Sequence, residues 1–184
     1  MSDDWSRPPP PEHGDKTNVK TFASVGLALS GWELVEAHLS LLFFYAVGGS
    51  TDAMRRAYGS VISFQGRRSM VKEAAVAFFL ANPDEQLAKD FSQCLTVMDA
   101  ASRRRNDIAH GIVQPYVRPG TDVIDGFALV PSYAATKHRK TDWSPEYFYT
   151  STQIDAFAGR FDMLAGTTLQ IVTRIMAKDR ANGR

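Results

Sequence analysis

Residues 102 to 113, Ser-Arg-Arg-Arg-Asn-Asp-Ile-Ala-His-Gly-Ile-Val, gather side chains suited to handling a phosphate. His110 brings an imidazole, the side chain most often used for proton transfer. A guanidinium such as that of Arg105 matches phosphate oxygens and stays charged. On a helix, Asn106 and His110 are four apart and share a face. Arg105 lies about 140° round from His110 at about 100° per residue. Its long side chain, and a helix end loosened at Gly111, would bring guanidinium and imidazole to one pocket. Such a pair suffices for cutting RNA without metal, because the ribose 2′-OH is an internal nucleophile. The protein need only move protons and stabilise a crowded, negatively charged phosphorane. A plainer reading stays open beside it: cations are favoured in the last turn of any helix, by about 0.3–1 kcal/mol each. Arg105 argues against that reading, since it falls on an apolar stripe.

That stripe runs through Leu87, Phe91, Cys94, Met98 and Ala101 in steps of four, three, four and three, and the next step of four lands on Arg105. A helix is therefore expected from Pro83 or Asp84, ended by Gly111 in a left-handed conformation. Arg103 and Arg104 read as solvated helix-end charge that would contact flanking phosphates near an RNA cleft. An earlier helix over 18–47 carries Val25, Leu29, Trp32, Leu39 and Phe43 on one stripe. Glu36 fills the missing step of that series, and a buried carboxylate there needs a partner. Segments 52–64 and 67–81 read as a kinked helix or two short ones, with Gln65-Gly66 between them and Asn82-Pro83 at the end.

Beyond Gly111 the pattern changes. Segments 112–117 and 123–130 are rich in β-formers and flank the turn-like run 118–122, which predicts a β-hairpin with Pro115 at an edge or bulge. Residues 132–145 form a polar loop with the basic run Lys137 to Lys140, and 146–150 reads as a third short strand. The last helix starts at Ser151 or Thr152, where Thr152 and Asp155 fit a capping box. Its inward stripe is Ile154, Phe157, Phe161, Leu164, Thr168, Ile171 and Ile175. The sum is a mainly all-α protein, a four- to five-helix bundle with a small β insertion at about 112–150, before the last helix. Residues 1–16, with Pro8 to Pro11, read as a disordered tail, and 17–180 as one helical domain.

Composition sets further bounds. The 184 residues suit one domain, 44% apolar and 22% charged. A net charge of +1 means nucleic-acid contact must come from local basic clusters. The single Cys94 rules out an internal disulfide or a cysteine metal cluster and suits a reducing cytosol. The acidic, proline-rich start lacks the apolar core of a secretory signal. Residues 27–47 are long enough to span a bilayer, but Glu33, Glu36 and His38 make a core helix the better reading. No phosphate-loop, dinucleotide or nucleophile-elbow motif occurs. His13, His38, His110 and His138 lack ligand spacing, so neither metal nor cofactor is expected.

Arg-Asn-Asp-Ile-Ala-His-Gly at 105–111 resembles the signature of HEPN domains: Arg, four to six residues, then His, with Asn, Asp or His commonly following the Arg. Here Asn106 follows Arg105, and four residues separate it from His110. The resemblance extends loosely over about 20–180. It implies an up-and-down helical bundle that pairs as a homodimer, so that two Arg-His pairs line one cleft. Active HEPN proteins are metal-independent endoribonucleases of toxin–antitoxin, phage-defence and abortive-infection systems. Carried over by position, Arg105 would contact the scissile phosphate, His110 would be the general acid or base, and Asn106 would orient the pair or bind substrate. Glu36 would pair with Arg105 or hold His110, as acidic residues of a neighbouring helix do in some members. RNA and an antitoxin protein are the implied partners, in the cytoplasm and away from membranes. Other members have lost catalysis and act as dimerisation, nucleotide-binding or partner-binding modules.

Overall fold

A computed structural model of the chain describes residues 5–118, 120–132 and 145–181, with side chains as far as Lys178. In chain order it holds α1 (Asn18–Ala46), α2 (Asp52–Ser60), α3 (Phe64–Ala81), α4 (Glu85–Ala109), β1 (Gly111–Val117), β2 (Ile124–Pro131) and α5 (Ser151–Ala181). The protein is an all-α bundle with a β insertion before the last helix. Two compact units divide it, Met1–Trp32 with Arg103–Phe161, and Glu33–Ser102 with Asp162–Arg184. Three helices, α1, α4 and α5, each give one end to one unit and the other end to the other.

In the second unit, the stripes expected for α4 and α5 are buried: Leu87, Phe91, Cys94 and Met98, with Leu164, Thr168, Ile171 and Ile175. The Cys94 thiol lies 3.5 Å from the Thr168 hydroxyl, and burial pushes its pKa up, so it is a core residue. The interruption in the second helical region falls at 61–63, earlier than the expected Gln65-Gly66. Ser63 caps α3 by accepting from Gly66 N at 3.1 Å, which places Gln65 and Gly66 in its first turn. On α1 the inward stripe is Thr21, Ser24, Ala28, Trp32, Val35, Leu39, Leu42 and Ala46. Val25, Leu29 and Phe43, expected inside, lie half-buried at its flanks. Among the described residues, α1 is the one helix long and apolar enough to cross a membrane, and 44% of its most apolar window is buried inside the fold.

The first unit holds the hairpin. β1 and β2 pair antiparallel from Gly111 opposite Pro131 to Val117 opposite Ile124, with a bulge between Pro115 and Val117. That bulge is the irregularity a proline in a strand requires. The expected third strand at 146–150 is reduced to a bridge between Leu129 and Tyr149. At the start of α5, Thr150 rather than Thr152 makes the capping box, its N–H donating to Gln153 Oε1 at 3.1 Å. Asp15 adds to that cap, accepting from Ser151 N at 2.7 Å and from the Ser151 hydroxyl at 2.6 Å.

Residues 5–16 overturn the expectation of a disordered tail. Trp5 is buried and stacks on Phe157 and Phe161 at 6.4 and 5.5 Å between ring centroids. Two carbonyls of the proline run are acceptors: Pro9 O for Gln153 Nε2 at 3.0 Å, and Pro11 O for the Tyr116 hydroxyl at 2.6 Å. Gly14 N donates to Asp125 O, and Asp15 bridges Phe127 on the edge of β2 that β1 leaves open. The extended backbone that proline favours is the form a strap needs. One tryptophan and one arginine then anchor it to partners at least 100 residues away.

Candidate functional site

The last turns of α4 carry the motif, and the helix period sets how its arginines divide. Measured from Ala101 at about 100° per residue, Ile108 lies about 20° away, Arg104 about 60° to one side and Arg105 about 40° to the other. Both arginines therefore flank the buried stripe, and their surroundings decide between them. Arg104 is the buried one, at 8% exposure, while Arg103 is exposed and Arg105 half-buried. The expectation of Arg104 as solvated charge is thus corrected. Its Nη2 lies 3.2 Å from Asp107 Oδ2 one turn along, and its Nε has no hydrogen-bond partner among the described residues.

Asp107 is the centre of this end and was not singled out in the sequence. Arg7 grips its carboxylate with two parallel bonds, Nε to Oδ2 at 3.1 Å and Nη2 to Oδ1 at 3.0 Å. The Tyr149 hydroxyl donates to Oδ2 at 2.9 Å, and the Tyr147 hydroxyl donates to the Asp107 carbonyl at 2.7 Å. The two tyrosine rings stack at 4.6 Å, and the Arg7 guanidinium sits 5.0 Å from the Tyr147 centroid and donates to Glu146 at 2.8 Å. Its hydrogen bond to Asp107 raises the Arg7 pKa further. Burial, and next the negative charge of Asp107, push the Tyr147 and Tyr149 phenols well above their ordinary range. A signal was available: Asp107 follows Arg104 at helical spacing i, i+3.

Arg105 packs its guanidinium 6.0 Å from the ring of Trp32 and donates from Nη1 to Asn106 Oδ1 at 3.1 Å. Asn106 and His110 are both exposed. The helix bond from His110 N to Asn106 O, 3.0 Å, stacks them on one face, and Ser132 N donates to the His110 carbonyl at 3.2 Å. Among the described residues no hydrogen bond or ion pair fixes the imidazole. Gly111 does not stop the helix by a left-handed turn, since its φ is not positive. It begins β1 directly, and a Cβ there would lie 2.7 Å from Leu129 Cγ. The expected loosening of the helix end is replaced by a close crossing of backbone and side chain.

Glu36 belongs to the second unit, where it accepts from Arg67 Nη1 at 2.6 Å, the partner its burial requires. Tyr116 on β1 is fully buried, with its hydroxyl donating to Pro11 O. The basic run 137–140 lies outside the described residues. Among the described residues no cluster of His, Cys, Asp and Glu is arranged to hold a metal ion. Chemically, the exposed surface at this end presents an amide that accepts from Arg105, the exposed imidazole of His110 and the exposed guanidinium of Arg103, beside a half-buried one. Comparison with family models, curated proteins and solved structures finds no match to this chain.

Proposed function

We propose that the protein is a metal-independent endoribonuclease of the HEPN type, acting in the cytoplasm as a toxin or phage-defence effector. The observation that carries the reading is the last turn of α4. There Arg105 holds Asn106 at 3.1 Å, and His110 sits exposed on the same face as Asn106. Arg105 would stabilise the phosphorane, His110 would move the proton, and Asn106 would hold the guanidinium in register. A second copy of the chain would bring a second Arg-His pair to the cleft, and an antitoxin protein would mask it. The test is cleavage of total RNA and of a synthetic oligoribonucleotide in EDTA. Wild type should leave ends bearing 2′,3′-cyclic phosphate. His110→Ala and Arg105→Ala should lose about 10²-fold or more in rate. Equal rates in wild type and both variants would overturn the reading.

One observation favours a second reading, a catalytically inactive module that dimerises or binds a nucleotide or partner protein. No group among the described residues orients the His110 imidazole, whereas a general base is normally held by a neighbour. On that reading the wild type cuts nothing in EDTA, and His110→Ala weakens capture of a partner.

A further inference from the structure

We infer that the groove between α3 and α4 is a binding site for an amphipathic carboxylic acid, a carboxylate head on an unbranched apolar tail. The groove lies wholly in the second unit and uses no residue of the motif, so it goes beyond the ribonuclease reading and is independent of it.

The two helices run antiparallel here. Near the start of α3, Gln65 Nε2 donates to Asp99 Oδ1 at 2.9 Å, and Arg68 Nη1 donates to the Leu95 carbonyl at 3.4 Å. Near its end, Phe79 meets Phe91 edge to face, 5.8 Å between centroids. The groove between them has a volume of about 540 Å³, the size of a small-molecule site. At about 1.5 Å per residue, its α3 wall spans about 18 Å from Arg68 to Leu80.

Polarity changes along that length. Arg68, Ser69 and Lys72 stand at one end with Thr96, while Phe79, Leu80, Ala88 and Phe91 make the other end apolar. Among the described residues no carboxylate lines the groove. Arg68 is already held by Asp99, 3.5 Å away, and by the Leu95 carbonyl. Lys72 is exposed, and no hydrogen bond or ion pair among the described residues holds its ammonium. An ammonium has three donors and no acceptor, so the group that suits it is an anion. Farther along, Val76 and Leu80, one turn apart, stay 51% and 79% exposed. Two large aliphatic side chains beside the half-buried Phe79 form a surface that gains by being covered. One ligand serves both ends, an anion at Lys72 joined to a methylene chain running toward Leu80. A bare anion would leave the apolar end wet, and a plain alkane would leave the ammonium without a protein or ligand partner.

The experiment is isothermal titration of the full chain with octanoate, decanoate and decanol, each kept monomeric. Decanoate should bind one to one and saturably. Affinity should rise by up to about 4-fold for each CH₂ added to octanoate, the gain from burying a methylene. Decanol keeps the tail and lacks the anion. It should bind wild type about as weakly as decanoate binds Lys72→Ala, about 3- to 10-fold below decanoate on wild type. Lys72→Arg keeps the charge and should stay within about 3-fold of wild type. Leu80→Asp should weaken decanoate by about 10-fold or more. Both side chains are exposed, so these variants keep the fold, as circular dichroism should confirm. Absence of saturable decanoate binding overturns the inference, as does equal affinity for wild type and either Lys72→Ala or Leu80→Asp. Binding only to an acidic amphipathic peptide, or only to phosphatidylcholine vesicles, overturns it too, since the groove would then be a docking face for a macromolecule or a membrane. RNA cleavage in EDTA should be the same in Lys72→Ala as in wild type, so this inference and the ribonuclease reading fail separately.

Discussion

Substituting alanine for Gly111 asks whether that glycine is there for its backbone freedom or for its missing side chain. The two causes predict different partners. A Cβ at 111 would lie 2.7 and 2.8 Å from Leu129 Cγ and Cδ1, and 3.0 Å from the Asp107 carbonyl oxygen. Carbon atoms pack best at about 3.5–4.0 Å, so the overlap with Leu129 is about 0.8 Å. Leu129 is 1% exposed and cannot swing away into solvent. Overpacking of this kind costs about 1–3 kcal/mol, offset by about 0.4–1 kcal/mol because alanine restricts the unfolded chain. The net expectation for Gly111→Ala is about 1–2 kcal/mol of destabilisation, read as the urea midpoint by tryptophan fluorescence, and a drop of about 2–8 °C in Tm. Leu129→Ala alone leaves a cavity and costs about 2–5 kcal/mol. In that background the clash is gone, so Gly111→Ala should cost little, giving a coupling of about 1–2 kcal/mol in the double-mutant cycle. Were Gly111 instead a left-handed helix stop, alanine would cost the same in both backgrounds. Additive effects would therefore refute the packing argument.

Two further outcomes test other parts of the fold. Trp5→Ala should destabilise by about 3–5 kcal/mol, as loss of a buried aromatic does, and should expose the strap to proteolysis; a change under 1 kcal/mol would mean that residues 5–16 are dispensable. Tyr58, Tyr147 and Tyr149 all have phenols raised by burial first of all, Tyr58 to about 12. A phenol ionises near 10 in the unfolded chain, so the unfolded state releases its protons first as pH rises. The stability is complete below pH 10 and should be lost as pH climbs through 12, with the urea midpoint falling between pH 10 and 11; a midpoint flat over that interval would contradict the burial of these rings.

Much of the helical frame was legible because period and polarity agree there. On α4 and α5 each apolar residue recurs at three or four steps beside charged neighbours, so the stripe has visible borders. On α1 that contrast is missing. Apolar side chains run all the way round, with Val19, Phe22, Leu27 and Leu34 exposed, and no polar face says which stripe is inward. The expected stripe accordingly held at Trp32 and Leu39 and was displaced by one position at Val25, Leu29 and Phe43. The strap was illegible for another reason. Arg7 and Asp107 are 100 residues apart, and the bond between them follows from tertiary placement alone. A segment counted as poor in core residues holds on through one indole, one guanidinium and a few backbone acceptors.

The motif shows how far spacing alone can go. A period of 3.6 admits both i+3 and i+4, so from Ala101 it cannot choose between Arg104 and Arg105 as the inward arginine. The choice is made by Asp107, whose buried carboxylate draws Arg104 on its own side of the helix and Arg7 from the strap. Arg105, on the other side, rests against Trp32 and Asn106. The consequence is electrostatic. Around this helix end the sequence sets Arg103, Arg104 and Arg105 in a row before Asp107, and Arg7 joins them from the strap, in a chain whose total charge is +1. Arg7 and Arg104 both bind Asp107, while Arg105 lies five residues and Arg103 seven before the exposed His110. On either proposed reading, an anion drawn by this cluster of arginines would meet the exposed imidazole of His110.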